Sequence, residues 1–242
     1  MSCTNLMGIA TVVLGLSASA SIAADFVEAA PADDWSGFYA GLHAGWGWAD
    51  ADMNFDAASD FGGTVVENGF SSNLDGPLAG AQLGYNWQVN SFLLGIETDA
   101  SWSGLEGSNH IIEIGGGYYF NADSDLEWLA SLRARAGLIW ESTLLYGTGG
   151  VAFASLESNV TSDYSGVDVS TSESITHTGW VLGAGIETKI TSNMTARLEY
   201  LHYDFGGADI FYRLDPLSDA YDAFGDAQLD VDVIRLGVNI LF

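Results

Sequence analysis

Nine charged residues stand two apart, or alone, inside otherwise greasy or glycine-rich stretches. They are Glu97 and Asp99, Arg133 and Arg135, Glu187 and Lys189, Arg197 and Glu199, and Arg235. A spacing of two places both members of a pair on the same face of a β-strand. Acids and bases gathered on one face can hold a substrate or an ion. They can also neutralise one another where water is scarce, because an unpaired buried charge costs several kcal/mol. Five cations against four acids form a nearly balanced set, which reads as a structural ion-pair and hydrogen-bond network.

The remaining candidates do not assemble into a catalytic, cofactor-binding or metal set. Asp50-Ala51-Asp52-Met53-Asn54 opens like a calcium loop, but Phe55 and Phe61 occupy the positions where an EF-hand needs Gly and Glu. Residues 215–230 carry Asp215, Asp219, Asp222, Asp226 and Asp230. Such a loop is a solvated acidic surface, and its oxygens could loosely hold Ca²⁺ or Mg²⁺; no cofactor is otherwise expected. Gly115-Gly116-Gly117 has neither a Walker lysine nor a following helix, so it is no phosphate cradle. Of the histidines, His202 falls on an apolar strand face near a loop end, where an interfacial polar residue explains it better than a nucleophile's base.

The elements that must position these charges follow from period-two alternation. From Phe38 the even positions read Phe38, Ala40, Leu42, Ala44, Trp46 and Trp48, against Tyr39, Gly41, His43, Gly45 and Gly47. The same split recurs in strands starting near 77, 92, 128, 177, 194 and 230. Residues 144–155 also read as a strand, without a clear assignment of faces. Eight strands result. Short turns fall near Asn90-Ser91, Glu141-Ser142 and Thr191-Ser192-Asn193, and long polar loops span 49–76, 103–127, 156–176 and 206–229. Sorting short turns from long loops is the habit of a transmembrane β-barrel. The expected fold is all-β: an eight-stranded antiparallel up-and-down barrel with four long extracellular loops, its inner face filled by side chains.

Composition agrees. The chain has 242 residues, 6 Lys+Arg against 32 Asp+Glu and a formal net charge of −26, yet only 16% charged residues and 48% hydrophobic ones. Phosphate backbones are repelled by such a chain, so nucleic acid is excluded as a partner. One cysteine excludes a disulfide framework. After residue 24 no apolar run reaches the length of a membrane helix. Residues 1–23 read as a cleaved signal peptide, with an apolar core at 6–16 and Ser21-Ile22-Ala23 before the cut, although no Lys or Arg precedes it. Residues 24–34 form an acidic periplasmic lead-in, and 35–242 the barrel. Trp35, Trp46, Trp48, Trp87, Trp102, Trp128, Trp140 and Trp180 fall on strands or at their ends, and read as an aromatic belt at the two membrane interfaces.

These residues carry a family resemblance. Trp35-Ser36-Gly37-Phe38-Tyr39-Ala40-Gly41 resembles the opening strand of small alphaproteobacterial outer-membrane β-barrels, the porin-family group related to the OmpA-type barrel. Gly84-Tyr85-Asn86-Trp87-Gln88, Arg133-Ala134-Arg135-Ala136-Gly137, Arg197-Leu198-Glu199-Tyr200 and Arg235-Leu236-Gly237-Val238-Asn239 resemble its later strands. The terminal Phe242 resembles the signal read by the barrel-assembly machinery. The resemblance implies an outer-membrane location in a Gram-negative cell, with lipid and lipopolysaccharide as partners, but no single activity and no oligomeric state. The leading expectation is a structural, non-enzymatic barrel that supports envelope integrity and displays acidic loops. A small porin and a lipid A-modifying enzyme are the alternatives.

Overall fold

Alternation of large apolar and small or polar residues makes each strand two-faced, and closing the sheet is the arrangement that sends one face to lipid and the other to an interior. The computed structural model describes residues 34–57, 66–67, 70–107, 110–114, 118–164, 167–213 and 222–242. Among them are ten strands: β1 (Gly37–Ala57), β2 (Val66–Glu67), β3 (Phe70–Val89), β4 (Phe92–Gly107), β5 (His110–Ile114), β6 (Tyr118–Trp140), β7 (Thr143–Tyr164), β8 (Val167–Lys189), β9 (Met194–Arg213) and β10 (Asp222–Leu241). β1, β3, β4, β6, β7, β8, β9 and β10 pair in that order, and β10 closes on β1 from Tyr39↔Leu241 to Ala57↔Ala223. Every pairing is antiparallel. This is the expected eight-stranded barrel, with β2 and β5 as short additions to β1 and β6.

The outward face is the predicted greasy one. Phe38, Leu42, Leu83, Leu94, Ile96, Leu132, Leu182, Leu236 and Ile240 are all exposed on the wall. In β4 the wall runs from Phe92 to Trp102, matching the roughly 9–11 residues a tilted strand needs to cross a bilayer. Trp87 and Trp140 mark its short-turn end; Trp46, Trp48, Trp102 and Trp180 mark the other. The turns at Asn90-Ser91 and Glu141-Ser142 are tight, with left-handed backbone at Asn90 (φ 56°) and Glu141 (φ 55°).

Four expectations need correction. The strands outrun the membrane: much of 49–76, 103–127, 156–176 and 206–229 is paired strand rather than loop. The regular exchange of large apolar with small or polar residues that marks strands in the wall is lost in these polar stretches. Second, the interior is polar only in its lower part; its extracellular part is an apolar core. Third, Trp35 is no belt residue: it is fully buried at the short-turn mouth. Fourth, Lys189 is not enclosed with the other inner charges but is partly exposed at that same mouth. The unassigned strand resolves too: Leu144, Tyr146, Thr148, Ala152 and Ala154 of β7 point inward, while Leu145, Val151 and Phe153 face out. The predicted leader, the lead-in up to Asp33, Gly115 to Gly117, Asp215 and Asp219 lie outside the described residues.

Candidate functional site

The inward positions of the wall stack into two layers. In β4 the upward order is Leu93, Glu97, Asp99, Ser101 and Leu105; in β9 it is Thr195, Arg197, Glu199, Leu201, Tyr203 and Phe205, all buried. Register aligns the charged positions across strands, with Glu97↔Arg133 and Glu199↔Arg235 as direct neighbours. Cross-strand pairs of opposite sign are the favourable arrangement in a sheet.

The lower layer joins Glu97, Asp99, Glu187 and Glu199 to Arg133, Arg135, Arg197 and Arg235. Glu97 accepts from Arg133 and from Arg197 Nη1 (2.5 Å), and Tyr39 donates its hydroxyl to the same carboxylate at 2.6 Å. Asp99 takes Arg133 Nη2 at 2.8 Å, Arg235 Nη1 at 3.2 Å and the Ser131 hydroxyl at 2.7 Å. Glu199 takes Arg235 Nε at 2.7 Å, Arg133 Nη1 at 3.1 Å and the Tyr146 hydroxyl at 3.0 Å. Glu187 takes Arg135 Nη2 at 2.8 Å, with Thr195 Oγ1 and Asn239 Nδ2 on its other oxygen. Four guanidinium groups meet four carboxylates, so the enclosed layer is neutral, and each carboxylate accepts at least three hydrogen bonds. Eight of the nine charges singled out from sequence are therefore brought together. Lys189 instead donates to the Asp34 carbonyl at 2.8 Å and lies 5.2 Å from the Trp35 ring centroid, closing the mouth.

Several partners were not legible as such. The ring planes of Tyr39 and Tyr146 flank Arg135, with centroids 5.2 and 4.5 Å from its guanidinium carbon. Gly84 gives Tyr39 its place: a Cβ there would fall 2.3 Å from Tyr39 Cζ. A neutral chain runs beside the ions. His43 Nε2 is 2.7 Å from Ser101 Oγ, His43 Nδ1 is 2.5 Å from Gln82 Oε1, and Gln82 donates to Asn239 Oδ1 at 2.7 Å. Ser101, His43 and Gln82 thus have the outline of a nucleophile, its base and an orienting acceptor. They are buried within the barrel wall, between the ionic residues and the apolar core. Sequence spacing missed the pair because the two residues belong to β1 and β4.

The upper layer is apolar. Ala49, Leu74, Leu78, Leu105, Leu126, Leu129, Ala152, Ala154, Leu156, Val181, Leu201, Tyr203, Phe205, Leu229, Val231 and Val233 form one buried apolar cluster. Its signal in the sequence was a change of residue type at unchanged parity. Leu129, Val181, Leu201 and Val233 are apolar residues at the same inward parity as the charges of their strands, farther from the short turns.

Outside the barrel, His202 is partly buried on the outer surface, as its parity predicted. Its Nδ1 lies 2.8 Å from Asp232 Oδ1, an oxygen that also accepts from the Tyr200 hydroxyl at 2.7 Å, and its ring meets Trp180 edge-on. These are interfacial contacts. Asp50 to Asn54, the calcium-loop look-alike, is extended strand, Asp50 to Met53 paired on both sides and Asn54 with β10, not a loop wrapped around an ion. Trp46, Trp48, Trp87, Trp102, Trp140 and Trp180 are exposed on the wall, Trp128 less so. Phe242 is 79% exposed, its N–H donating to the Phe38 carbonyl at 2.9 Å.

Comparison with known proteins agrees with this architecture. Residues 10–242 match the family model described as outer membrane protein beta-barrel domain. The 31 kDa outer-membrane immunogenic protein of Brucella melitensis is 32% identical over 95% of this chain and 97% of its own length. The 22 kDa outer membrane protein of Rhizobium leguminosarum is 31% identical, over 88% of this chain and 80% of its own. Among solved structures, OprG of Pseudomonas aeruginosa superposes with a TM-score of 0.54 at 12% identity, covering 86% of this chain and 97% of that one. The outer-membrane protease OmpT of Escherichia coli superposes with a TM-score of 0.53 at 7% identity, over 88% and 100%; both show likeness of fold alone. With its closed wall, aromatic girdles and a family match over nearly its whole length, the chain belongs to the outer membrane protein β-barrel domain family and resides in the outer membrane.

Proposed function

We propose that the protein is a sealed, non-enzymatic barrel that strengthens the outer membrane and shows an acidic surface to the outside. The filled lumen carries this reading. An ion entering from the periplasm would have to displace guanidinium groups from the carboxylates they pair with, then cross the apolar cluster. The Ser101–His43 contact of the interior is buried, which supports a non-enzymatic role. The name of the Brucella relatives, immunogenic proteins, supports a role for the extracellular end at the cell surface. The exposed Phe242 at the end of β10 suits recognition by the assembly machinery, and the greasy wall and its girdles suit lipid and lipopolysaccharide. The test is planar-bilayer recording of the refolded full chain. A flat baseline is expected, and reproducible unitary steps would overturn the sealed barrel. Overexpression should leave the lipid A mass spectrum unchanged; a new lipid A mass would overturn the non-enzymatic reading.

A further inference from the structure

Beyond the upper girdle the wall opens. β8 and β9 pair from Lys189↔Thr195 to Trp180↔Asp204 and no further. β8 nevertheless continues to Val167, paired with β7 as far as Tyr164↔Val167. β9 continues as well, paired with β10 as far as Asp222↔Arg213. The separation is built into the chain at that level. Gly206 adopts a left-handed backbone (φ 65°), with nothing within 4 Å of where a Cβ would stand, and its N–H is held by Asp204 Oδ1 at 2.7 Å. The β9–β10 register slips between Gln228 and Asp230 beside it. A left-handed glycine together with a bulge bends a strand and ends its pairing, so β9 leaves β8 here. Two strand edges, residues 167–179 and 205–213, therefore border one gap. Among the described residues, neither edge has a strand partner on that side.

An unpaired edge presents a row of N–H and C=O groups, a template on which another extended chain can pair. Charge decides what kind of chain. The sequence stretches 49–76, 103–127, 156–176 and 203–232, which link wall strands at the ends opposite the short turns, hold 23 of the 32 acidic residues and one of the six Lys+Arg, Arg213. Asp168, Glu173 and Asp209 lie on the two edges themselves. A second copy of this chain would bring the same excess of acid, and like charges placed across strands repel. A cationic chain is drawn in. We propose that the gap between β8 and β9 takes up an extended cationic peptide segment as an added strand. The shorter edge, at about 3.3 Å per residue, accommodates about nine residues.

The test uses the refolded full chain in nanodiscs of zwitterionic lipid, so that the membrane itself does not attract the probe. The probe is a labelled nine-residue peptide alternating Lys with Thr or Val. Two controls accompany it: one N-methylated at alternate residues in either register, the other with Glu in place of Lys. The lysine peptide should bind, more weakly as salt rises, and at least one N-methylated version should bind tenfold or more weakly. The Glu peptide should not bind. Equal binding of the unmodified and both N-methylated peptides would mean charge attraction without strand pairing, and would overturn the proposal. So would equal binding of the Glu peptide, or absence of binding by the lysine peptide. A photo-crosslinker in the lysine peptide should label residues 167–179 and 205–213, and labelling confined to β3 and β4 would overturn the placement. The combined variant Asp168→Asn, Glu173→Gln and Asp209→Asn should weaken the lysine peptide severalfold while heat-dependent gel migration stays unchanged. Concentration-dependent dimers formed without peptide would make a second copy the occupant and overturn the proposal as well.

Discussion

The two layers of the lumen fill the same cylinder by different chemistry. The lower layer is four arginines and four acids tied together by ion pairs and hydrogen bonds; the upper is sixteen apolar residues in van der Waals contact. Both fill the barrel interior with buried side chains, yet they fail differently. An apolar core loses stability in proportion to the atoms removed and the cavity left. A buried ionic cluster is collective: it tolerates neutral replacement of a complete pair far better than the loss of one partner. The upper layer therefore supplies graded stability. The lower layer supplies a single arrangement, because every carboxylate must find its donors at once.

Glu97→Gln should be the most damaging change. Its carboxylate faces Arg133, Arg197, Arg135 and Arg235, and removing its charge leaves guanidinium groups without compensation, costing about 3–5 kcal/mol. Urea unfolding of the refolded barrel measures this. Combining Glu97→Gln with Arg133→Met should cost less than the two single changes together; strict additivity would dissolve the contrast between the layers. Next comes Leu105→Ala in the upper layer, at about 2–5 kcal/mol. A negligible loss there would mean that the upper layer is not a packed core.

Two further predictions probe sites outside both layers. Trp35, alone among the tryptophans, should resist quenching by brominated lipid, so Trp35→Phe should remove the unquenched part of the emission; full quenching of the wild type would place Trp35 on the wall. Glu141→Gly relieves a left-handed backbone in a tight turn and should stabilise the barrel by a few tenths to about 1 kcal/mol, seen as slower unfolding. The smallest effect concerns pH. Beyond the girdle, partial desolvation and the neighbouring Asp204, Asp232 and Asp50 raise the carboxyl of Asp230 above its usual range. A raised folded-state value makes its contribution favourable below the unfolded value and lost as pH rises through the folded one. Asp230→Asn should therefore raise the melting temperature slightly at neutral pH and not at pH 3.

Much of this was legible beforehand. The eight wall strands, the lipid faces of all but β7 and the eight enclosed charges follow from alternation, because a sheet between lipid and an interior forces opposite chemistries onto successive residues. Three features were not. The extension of β6, β7 and β8 beyond the wall falls in polar stretches without the wall's alternation of large apolar residues. Tyr39, Tyr146, His43 and Gln82 enter the lumen network through contacts between strands far apart in the chain. Trp35 has the composition of a girdle residue, and only the position of Lys189 and Asp34 at the mouth turns it inward.

The chain's own order of residues determines that it forms a barrel, which face meets lipid and that the inner charges nearly cancel, since these depend on parity along single strands. Tertiary structure decides which charge meets which, that the upper lumen is an apolar core, and that the β8–β9 pairing ends at Trp180 and Asp204. Those outcomes depend on register and on the bend at Gly206, which bring together residues whose separation in sequence carries no trace of their contact.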